Sequence, residues 1–316
     1  MFTSTCHYLL DKFFTFRLPF FAIAPSAENT AHTGTIIVDI TDNIELDQIS
    51  RHMERLGYND VVYITSNVAE ANGDTVVYFP SWLYSCSLQY SKFDQVDTAN
   101  KRNYQVSCLN RNCTPHKVYT YLQLVKRGYM DKSIISFSNS FCIDATLTPL
   151  DLSTPPFTEQ LPKAVIDELQ TMPLYKDIDD TWRNDHNFLH PAFTDCYLNI
   201  TTETRANYSL FTEKTAKPLA AGQLFLQVNG PSSMEGLRSI GIETFDTVFG
   251  RHQYDQERNF INRIDHMFAL LDDKVADLEE IYYSNIDKIN YNQTYFLSDA
   301  FRYRLAKNLR DRDLIV

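Results

Sequence analysis

The sequence has 316 residues, of which 44% are hydrophobic and 22% are charged. This length and balance are typical of a soluble globular protein with two domains of ordinary size. They exclude a collagen, a coiled coil or a chain that is disordered throughout. The 40 acidic and 29 basic residues give a formal net charge of −11. That charge argues against non-specific nucleic-acid binding, which depends on a basic surface.

The N-terminal apolar stretch and the cysteines bear on localisation. Residues 8–25 are apolar, but Asp11, Lys12 and Arg17 interrupt them. The longest uncharged run is about half the length that a membrane span needs, and the internal charges argue against a signal peptide. The 6 cysteines contain no Cys-x-x-Cys pair and are expected to be reduced thiols. We therefore expect a cytoplasmic protein without a transmembrane segment, in the host cytoplasm if the gene is viral.

The first hundred residues have an α/β rhythm. Runs rich in β-branched residues predict strands over 35–40, 61–65 and 75–79. Apolar residues at helical spacing predict a helix over 45–57. Residues 90–103 are polar and are expected to form a linker, with a hinge near Asn100.

A second α/β unit follows. Strands are predicted over 104–108 and 133–137, with a helix between them that begins at Thr114-Pro115 and ends near Gly128. The remaining predicted elements, in chain order, are a loop over 144–156, a strand over 195–201, a helix over 212–221, a strand over 223–228, a helix over 231–239, and helices over 256–283 and 297–309.

Basic residues concentrate at the start of this second unit. Residues 101–132 contain 7 lysines and arginines and 1 acidic residue. Arg111, His116 and Lys117 fall on the loop and first turn of the helix that begins at Thr114. Backbone N–H groups at a helix N-terminus favour phosphate. The pattern predicts an anion site here.

Two carboxylates and a lysine follow the strand predicted over 195–201. The strand delivers Glu203 to its carboxyl end, and Glu213 and Lys214 occupy the first turn of the next helix. Ligands of open α/β sheets bind at the carboxyl ends of the strands. A carboxylate can accept hydrogen bonds from a ribose diol, and a lysine can neutralise a diphosphate. The arrangement favours a nucleotide-sugar donor.

These motifs resemble the C-terminal donor domain of the GT-B glycosyltransferases, and most of all the α-1,3-fucosyltransferase family. Thr212-Glu213-Lys214 matches the Thr-Glu-Lys of the family's hallmark, and Ala220-Ala221-Gly222 matches its Ala-Gly helix end. Thr202-Glu203-Thr204 stands where Phe-Glu-Asn occurs. Residues 230–238 and 241–245 also look like those of related uncharacterised viral and bacterial proteins. The resemblance covers about residues 104–270.

The chain departs from the hallmark at three places. The family's tyrosine corresponds to Leu210, although Tyr208 lies two positions earlier, and its asparagine corresponds to Thr204. Leu224-Phe225 replaces its Val-Pro. These departures leave the choice of base and sugar open.

The resemblance implies an α/β protein with two Rossmann-like domains in the GT-B arrangement. Residues 1–100 would form a small acceptor-side domain, 101–255 the nucleotide-sugar domain, and 256–316 helices that pack back across both. The activity would be glycosyl transfer from a nucleotide-diphosphate sugar, with no cofactor and no obligatory metal. The acceptor is left open between a glycan, a protein and a modified nucleic acid. With the basic segment, the candidate substrate-binding set is Arg111, His116, Lys117, Glu203, Tyr208, Thr212, Glu213 and Lys214.

An inverting transferase needs a carboxylate to take the proton of the acceptor hydroxyl. Asp39, at the end of the first strand, is the candidate catalytic base. Asp42 is an alternative, as are His186 and His190 in the polar loop before the strand at 195.

Two other function classes stay open. A metal-dependent transferase would take its carboxylates from 177–180 or from Asp311 and Asp313. A non-catalytic binding or assembly protein could also be built on a degenerate transferase scaffold.

Overall fold

The computed structural model describes most of the chain. The described residues are 36–39, 50–51, 54–55, 61–66, 71, 75–110, 113–137, 140–143, 146–172 and 187–311. They form a mixed α/β structure with parallel sheets, which confirms the α/β class. Two Rossmann-like domains remain a prediction, as do the domain boundaries.

The first sheet has three parallel strands in the order β1 (Ile36–Asp39), β2 (Val61–Thr65) and β3 (Val76–Tyr78). All three were predicted from their β-branched runs. Of the helix predicted over 45–57, Ser50, Arg51, Glu54 and Arg55 are described, and they are helical.

Helix α1 (Ser81–Tyr90) was not predicted. Six of its 10 residues are buried, and they include Ser81, Ser85 and Ser87 as well as Leu83. Because the buried positions mix serines with apolar residues, no apolar stripe marks this segment as a helix in the sequence. Pro80 occupies the N-cap position, so the proline precedes a helix here.

The second sheet has four parallel strands in the order β5-β4-β8-β9. Their bounds are β4 (Tyr104–Asn110), β5 (Ser133–Phe137), β8 (Cys196–Thr202) and β9 (Leu224–Val228). Every residue of β8 and β9 is buried, as expected for parallel strands covered on both faces. After β4 the chain forms β5 on one side, and β8 later takes the other side. The carboxyl ends of β4 and β8 therefore form a topological switch point.

A short antiparallel hairpin corrects the predicted loop over 144–156. Strands β6 (Ser140–Ile143) and β7 (Thr146–Pro149) pair across two intervening residues. Pro149 is the last residue of β7, a position where proline interrupts no further pairing. Thr154 then precedes helix α3 (Pro155–Thr158), which has proline at its start.

Helices cover the second sheet. Helix α2 (Pro115–Lys126) has Thr114 at its N-cap position and is followed by Gly128 at φ +69°, both as predicted. The other helices are α4 (Lys163–Gln170), α5 (Pro191–Thr194), α6 (Glu213–Ala220), α7 (Ser233–Ser239), α8 (Asp246–Phe249), α9 (Phe260–Asp272), α10 (Leu278–Ser284), α11 (Ile286–Phe296) and α12 (Asp299–Arg310), with 3₁₀ turns at Gly250–Gln256 and Val275–Asp277.

The C-terminal helices contact both parts of the chain. Helix α9 packs on α2 and β9, α10 on β8 and α11 on α6, whereas α12 packs on α1 and β3. The Gln293 amide on α11 donates to the carbonyls of Val96 and Ala220, at 3.0 Å each. Within the described part of the chain, no helix is long and apolar enough to cross a membrane.

The expected linker is anchored at its end. Arg102 is 2% exposed. Its guanidinium donates to four carbonyls and one hydroxyl, those of Phe193, Cys196, Ala221, Gly222 and Tyr282, at 2.8–3.1 Å. Residues 91–103 lack helix and strand, and the hinge expected near Asn100 stays a prediction.

Candidate anion-binding site

The switch point joins two strands through their side chains. The Thr202 hydroxyl, at the end of β8, donates to the Asn110 side-chain oxygen, at the end of β4, at 2.5 Å. Helix α2 begins shortly after Asn110, and α6 begins after the loop that follows Thr202. Two helix N-termini therefore lie near the same sheet edge.

The N-terminus of α6 is closed by protein groups. Glu203 follows β8 and is fully buried. Its Oε1 accepts hydrogen bonds from the Thr212 N–H at 3.0 Å and the Thr215 hydroxyl at 2.6 Å, and its Oε2 accepts from the Thr212 hydroxyl at 2.7 Å. Thr212 in turn caps the helix by accepting from the Lys214 N–H.

This arrangement gives Glu203 and Thr212 a structural role, and their expected contacts with a ligand stay predictions. Both side chains are buried, and both carboxylate oxygens of Glu203 are already bonded within the protein. A ribose would have to displace the groups that begin α6. These two residues therefore position the start of the helix.

The N-terminus of α2 is different. Thr114 holds the N-cap position but makes no capping hydrogen bond with its side chain. Pro115 has no N–H, and Val118 is the first residue that bonds back, to the Thr114 carbonyl at 2.9 Å. Among the described residues, no group accepts from the N–H of His116 or Lys117. Two backbone donors thus stand open.

His116 is a neutral, buried side chain. Burial lowers its pKa to about 3, and the charge of Lys117 adds to the effect. Its Nε2 lies 2.9 Å from the Glu203 carbonyl, and its Nδ1 lies 3.1 Å from the Thr114 hydroxyl. The direct phosphate contact expected of His116 stays a prediction, although its Nε2 already has the Glu203 carbonyl as a partner.

Lys117 is a buried cation in the first turn of α2. It is 4% exposed. No hydrogen bond or ion pair to its amine occurs within the described residues. Burial lowers its pKa to about 8, as does the positive charge of Lys214, while Glu203, Glu213 and Cys113 act in the opposite direction. A buried ammonium without a bonded carboxylate is costly to keep.

Lys214 and Glu213 form an ion pair at the first turn of α6. Their side chains are 29% and 16% exposed, and the Lys214 amine lies 2.9 Å from Oε1 of Glu213. Burial alone would raise the pKa of Glu213, but the charge and hydrogen bond of Lys214 outweigh it and lower that pKa to about 2. Lys214 also donates to the Thr212 hydroxyl at 3.1 Å.

The structure brings part of the predicted set together. Lys117 interacts electrostatically with Lys214, Glu203 and Glu213, so these four lie in one neighbourhood. Tyr208 is half-buried in the loop between β8 and α6. Arg111 lies outside the described residues.

Three of the four candidate bases lie wholly or partly outside the described residues. Asp39 ends β1. Its side chain, like all of Asp42 and His186, lies outside the described residues. His190 is 7% exposed, and its Nδ1 accepts from the Ala192 N–H at 3.1 Å. His190 is therefore the N-cap of α5, which corrects its candidacy as a base.

Most of the basic segment has a structural role. Lys101 pairs with Glu279, Lys126 with Glu168 and Arg127 with Asp272, each at 3.0 Å, and Arg102 is buried. The local excess of positive charge predicted an anion site over the whole segment. Of its described cations, Lys117 is the one that stands buried at the switch point.

The alternative metal site gains no support. Among the described residues no group of three or more His, Cys, Asp or Glu side chains is arranged to hold a metal ion. Residues 177–180 and Asp313 lie outside that part. Asp311 pairs with Lys307 on α12.

Sequence reasoning missed Asn110, Thr215 and the Thr114 contact. Asn110 and Thr215 act through partners at least 12 positions away, which no local pattern reveals. Thr212 directly before Glu213 is an N-cap signature and could have predicted the closed end of α6.

No protein-family model, curated protein or solved structure matches this chain.

Proposed function

We propose that this protein is a glycosyltransferase that binds the diphosphate of a nucleotide sugar at the switch point and transfers the sugar to an acceptor. The observation that carries the proposal is Lys117, a buried ammonium with no bonded counter-charge among the described residues, beside two open backbone N–H groups. An anionic ligand would supply the missing negative charge and accept from those donors.

A diphosphate suits the site better than a single charge. Lys117 and Lys214 repel each other, and Glu213 compensates Lys214 directly. A ligand with two anionic groups can interact with the open N-terminus of α2 and with Lys214 together. The same groups would stabilise the charge that develops on a diphosphate leaving group, which is the main demand of glycosyl transfer from a nucleotide sugar without a metal.

The other parts of the reaction are assigned by the sequence resemblance and by position. The parallel second sheet suits the donor half of a GT-B enzyme, and Asp39 at the carboxyl end of β1 is the proposed base. Cys86, Cys108, Cys113 and Cys196 are buried thiols, which fits the proposed reducing cytoplasmic location. The acceptor stays open between a glycan, a protein and a modified nucleic acid.

A thermal-shift panel of nucleoside diphosphates tests the binding step. A ligand at a hundred times its Kd should add about 2.7 kcal/mol to the free energy of unfolding. The Lys117→Met variant should lose this gain. A panel without any stabilising nucleotide contradicts the donor assignment.

Donor hydrolysis, measured with and without EDTA, tests the chemistry. We expect release of nucleoside diphosphate that survives excess EDTA, because protein cations replace the metal. Loss of activity that manganese restores moves the protein to the metal-dependent class. Tight nucleotide binding with no turnover moves it to the class of non-catalytic binding proteins.

A further inference from the structure

The charged side chains around Lys117 cancel one another. Lys117 and Lys214 are cations, and Glu203 and Glu213 are carboxylates that interact with Lys117 electrostatically. These four side chains give the switch point no net positive charge, although the Lys117 amine has no bonded partner among the described residues. A ligand with two anionic groups must give up part of its hydration to bind there, so it needs a further cation.

The loop that follows β8 runs between the first turns of α2 and α6. The carbonyl of Glu203 lies 2.9 Å from Nε2 of His116, in the first turn of α2. The next residue is Thr204, whose hydroxyl accepts from the amine of Lys214, in the first turn of α6, at 3.4 Å. Arg205 comes next in the chain, so its backbone lies close to both helix starts.

Buried polar side chains hold the loop on the other side of Arg205. The guanidinium of Arg263, on α9, is buried and donates to the carbonyl of Ala206. The buried side chain of Asn229 donates to the Leu210 carbonyl at 2.7 Å and accepts from the Leu210 N–H at 3.0 Å. The backbone is thus bonded before and after Arg205, which places this residue at a defined position before a ligand arrives.

The guanidinium of Arg205 is available for a ligand. Arg205 is exposed, and no hydrogen bond or ion pair to its side chain occurs within the described residues. Burial and the charge of Lys117 are the main causes of the lowered pKa of His116, and Arg205 adds a smaller effect of the same sign. The charge of Arg205 therefore acts on the first turn of α2, and no described carboxylate has to release it before it binds an anion.

We propose that Arg205 is a ligand-binding residue whose guanidinium binds the second anionic group of a diphosphate at the switch point. This inference rests on the proposed function and supplies the cation that its charge balance lacks. The planar guanidinium can donate two parallel N–H bonds to one phosphate group, which the single ammonium of a lysine cannot match. With Arg205 included, the cations at the switch point outnumber the carboxylates.

Calorimetric titration with inorganic pyrophosphate tests the inference. Arg205→Ala should raise the Kd about tenfold or more, the effect of losing a charge-assisted contact. Because the side chain is exposed, urea denaturation should show little change in the free energy of unfolding. Arg258→Ala is the matched control, since Arg258 is also exposed and its carbonyl accepts from Arg263 as that of Ala206 does. The control should change the Kd less than about threefold.

A second titration, with inorganic phosphate, separates a direct contact from the general field of a nearby charge. A single phosphate can stay at Lys117, so Arg205→Ala should weaken its binding by at most about threefold. Equal losses for phosphate and pyrophosphate overturn the inference, because a field without a contact acts on both.

The pyrophosphate titrations also distinguish this inference from the proposed function. An unchanged Kd in Arg205→Ala, or an equal loss in Arg258→Ala, overturns the inference, while binding by the wild type leaves the proposed function standing. Absence of pyrophosphate binding by the wild type removes the proposed function and this inference together.

Discussion

The N-termini of α2 and α6 lie near one sheet edge but have opposite surroundings. At α6, Glu203 accepts from the Thr212 N–H and from the Thr212 and Thr215 hydroxyls, and Thr212 caps the Lys214 N–H. At α2, the N-cap side chain makes no cap, and Lys117 is buried with its pKa lowered to about 8 by burial and by Lys214. The start of α6 is bonded within the protein, whereas at α2 the Lys117 amine and two backbone N–H groups have no hydrogen-bond partner among the described residues.

The difference separates stability from binding. A buried carboxylate that accepts three hydrogen bonds stabilises the fold it belongs to. A buried ammonium without a partner destabilises the fold, and it is retained only if something else requires it. Substitutions at the two ends should therefore move stability in opposite directions.

The largest effect is expected at the closed end. Glu203→Ala should lower the free energy of unfolding by roughly 3–5 kcal/mol, because the N–H of Thr212 and two hydroxyls lose a buried charged acceptor. Urea denaturation measures the change. Glu168→Ala, which removes an exposed pair with Lys126, is the control and should cost at most about 1 kcal/mol. Equal effects would contradict the distinction between the two ends.

A substitution at the N-terminus of α2 should raise the free energy of unfolding instead of lowering it. Lys117→Met keeps the aliphatic volume and removes the charge, so the free energy of unfolding at pH 7 should rise by about 3 kcal/mol, the equivalent of the lowered pKa. Pyrophosphate affinity should fall at least about thirtyfold. Both changes are read from one sample by calorimetry and denaturation. A less stable variant would show that Lys117 has a structural role.

The pH dependence sharpens the comparison. Lys117 binds protons less tightly in the folded than in the unfolded protein, so its contribution to stability rises with pH between about 8 and 10.5. Ligand affinity moves the other way, because the amine loses its charge above pH 8, and we expect about a tenfold loss per unit. Lys117→Arg, charged throughout, should flatten the profile. Identical profiles in both proteins would exclude Lys117 as the titrating group.

A smaller effect is expected from the ion pair at the start of α6. Glu213→Ala and Lys214→Ala should each weaken nucleotide binding by about 1.5–3 kcal/mol with little change in fold, since both side chains reach solvent. Isothermal titration measures the loss. Lys163→Ala, which breaks the exposed pair with Asp167, is the matched control. Unchanged affinity in both α6 variants would remove Lys214 and Glu213 from the donor pocket.

The sequence predicted the strands and helix starts that depend on local patterns. The β-branched runs mark β1, β2 and β3, and Thr114-Pro115 marks the start of α2. It could not predict which strands pair, because β4 contacts β8 about ninety positions away. The hydrogen-bond partners of Glu203 were not predicted for a similar reason, because Thr212 and Thr215 lie 9 and 12 positions further along the chain.

The anchoring of Arg102 has a consequence for how the protein is made. Its hydroxyl partner, Tyr282, lies 180 residues further along the chain. At ribosomal rates of about 5–20 residues per second, this guanidinium waits about 10–40 s before that partner emerges. Until then the nascent second sheet carries an incompletely bonded charge at its base. The Tyr282 hydroxyl can therefore join the anchoring of Arg102 only after α10 has been synthesised, so this hydrogen bond forms late, after all four strands of the second sheet.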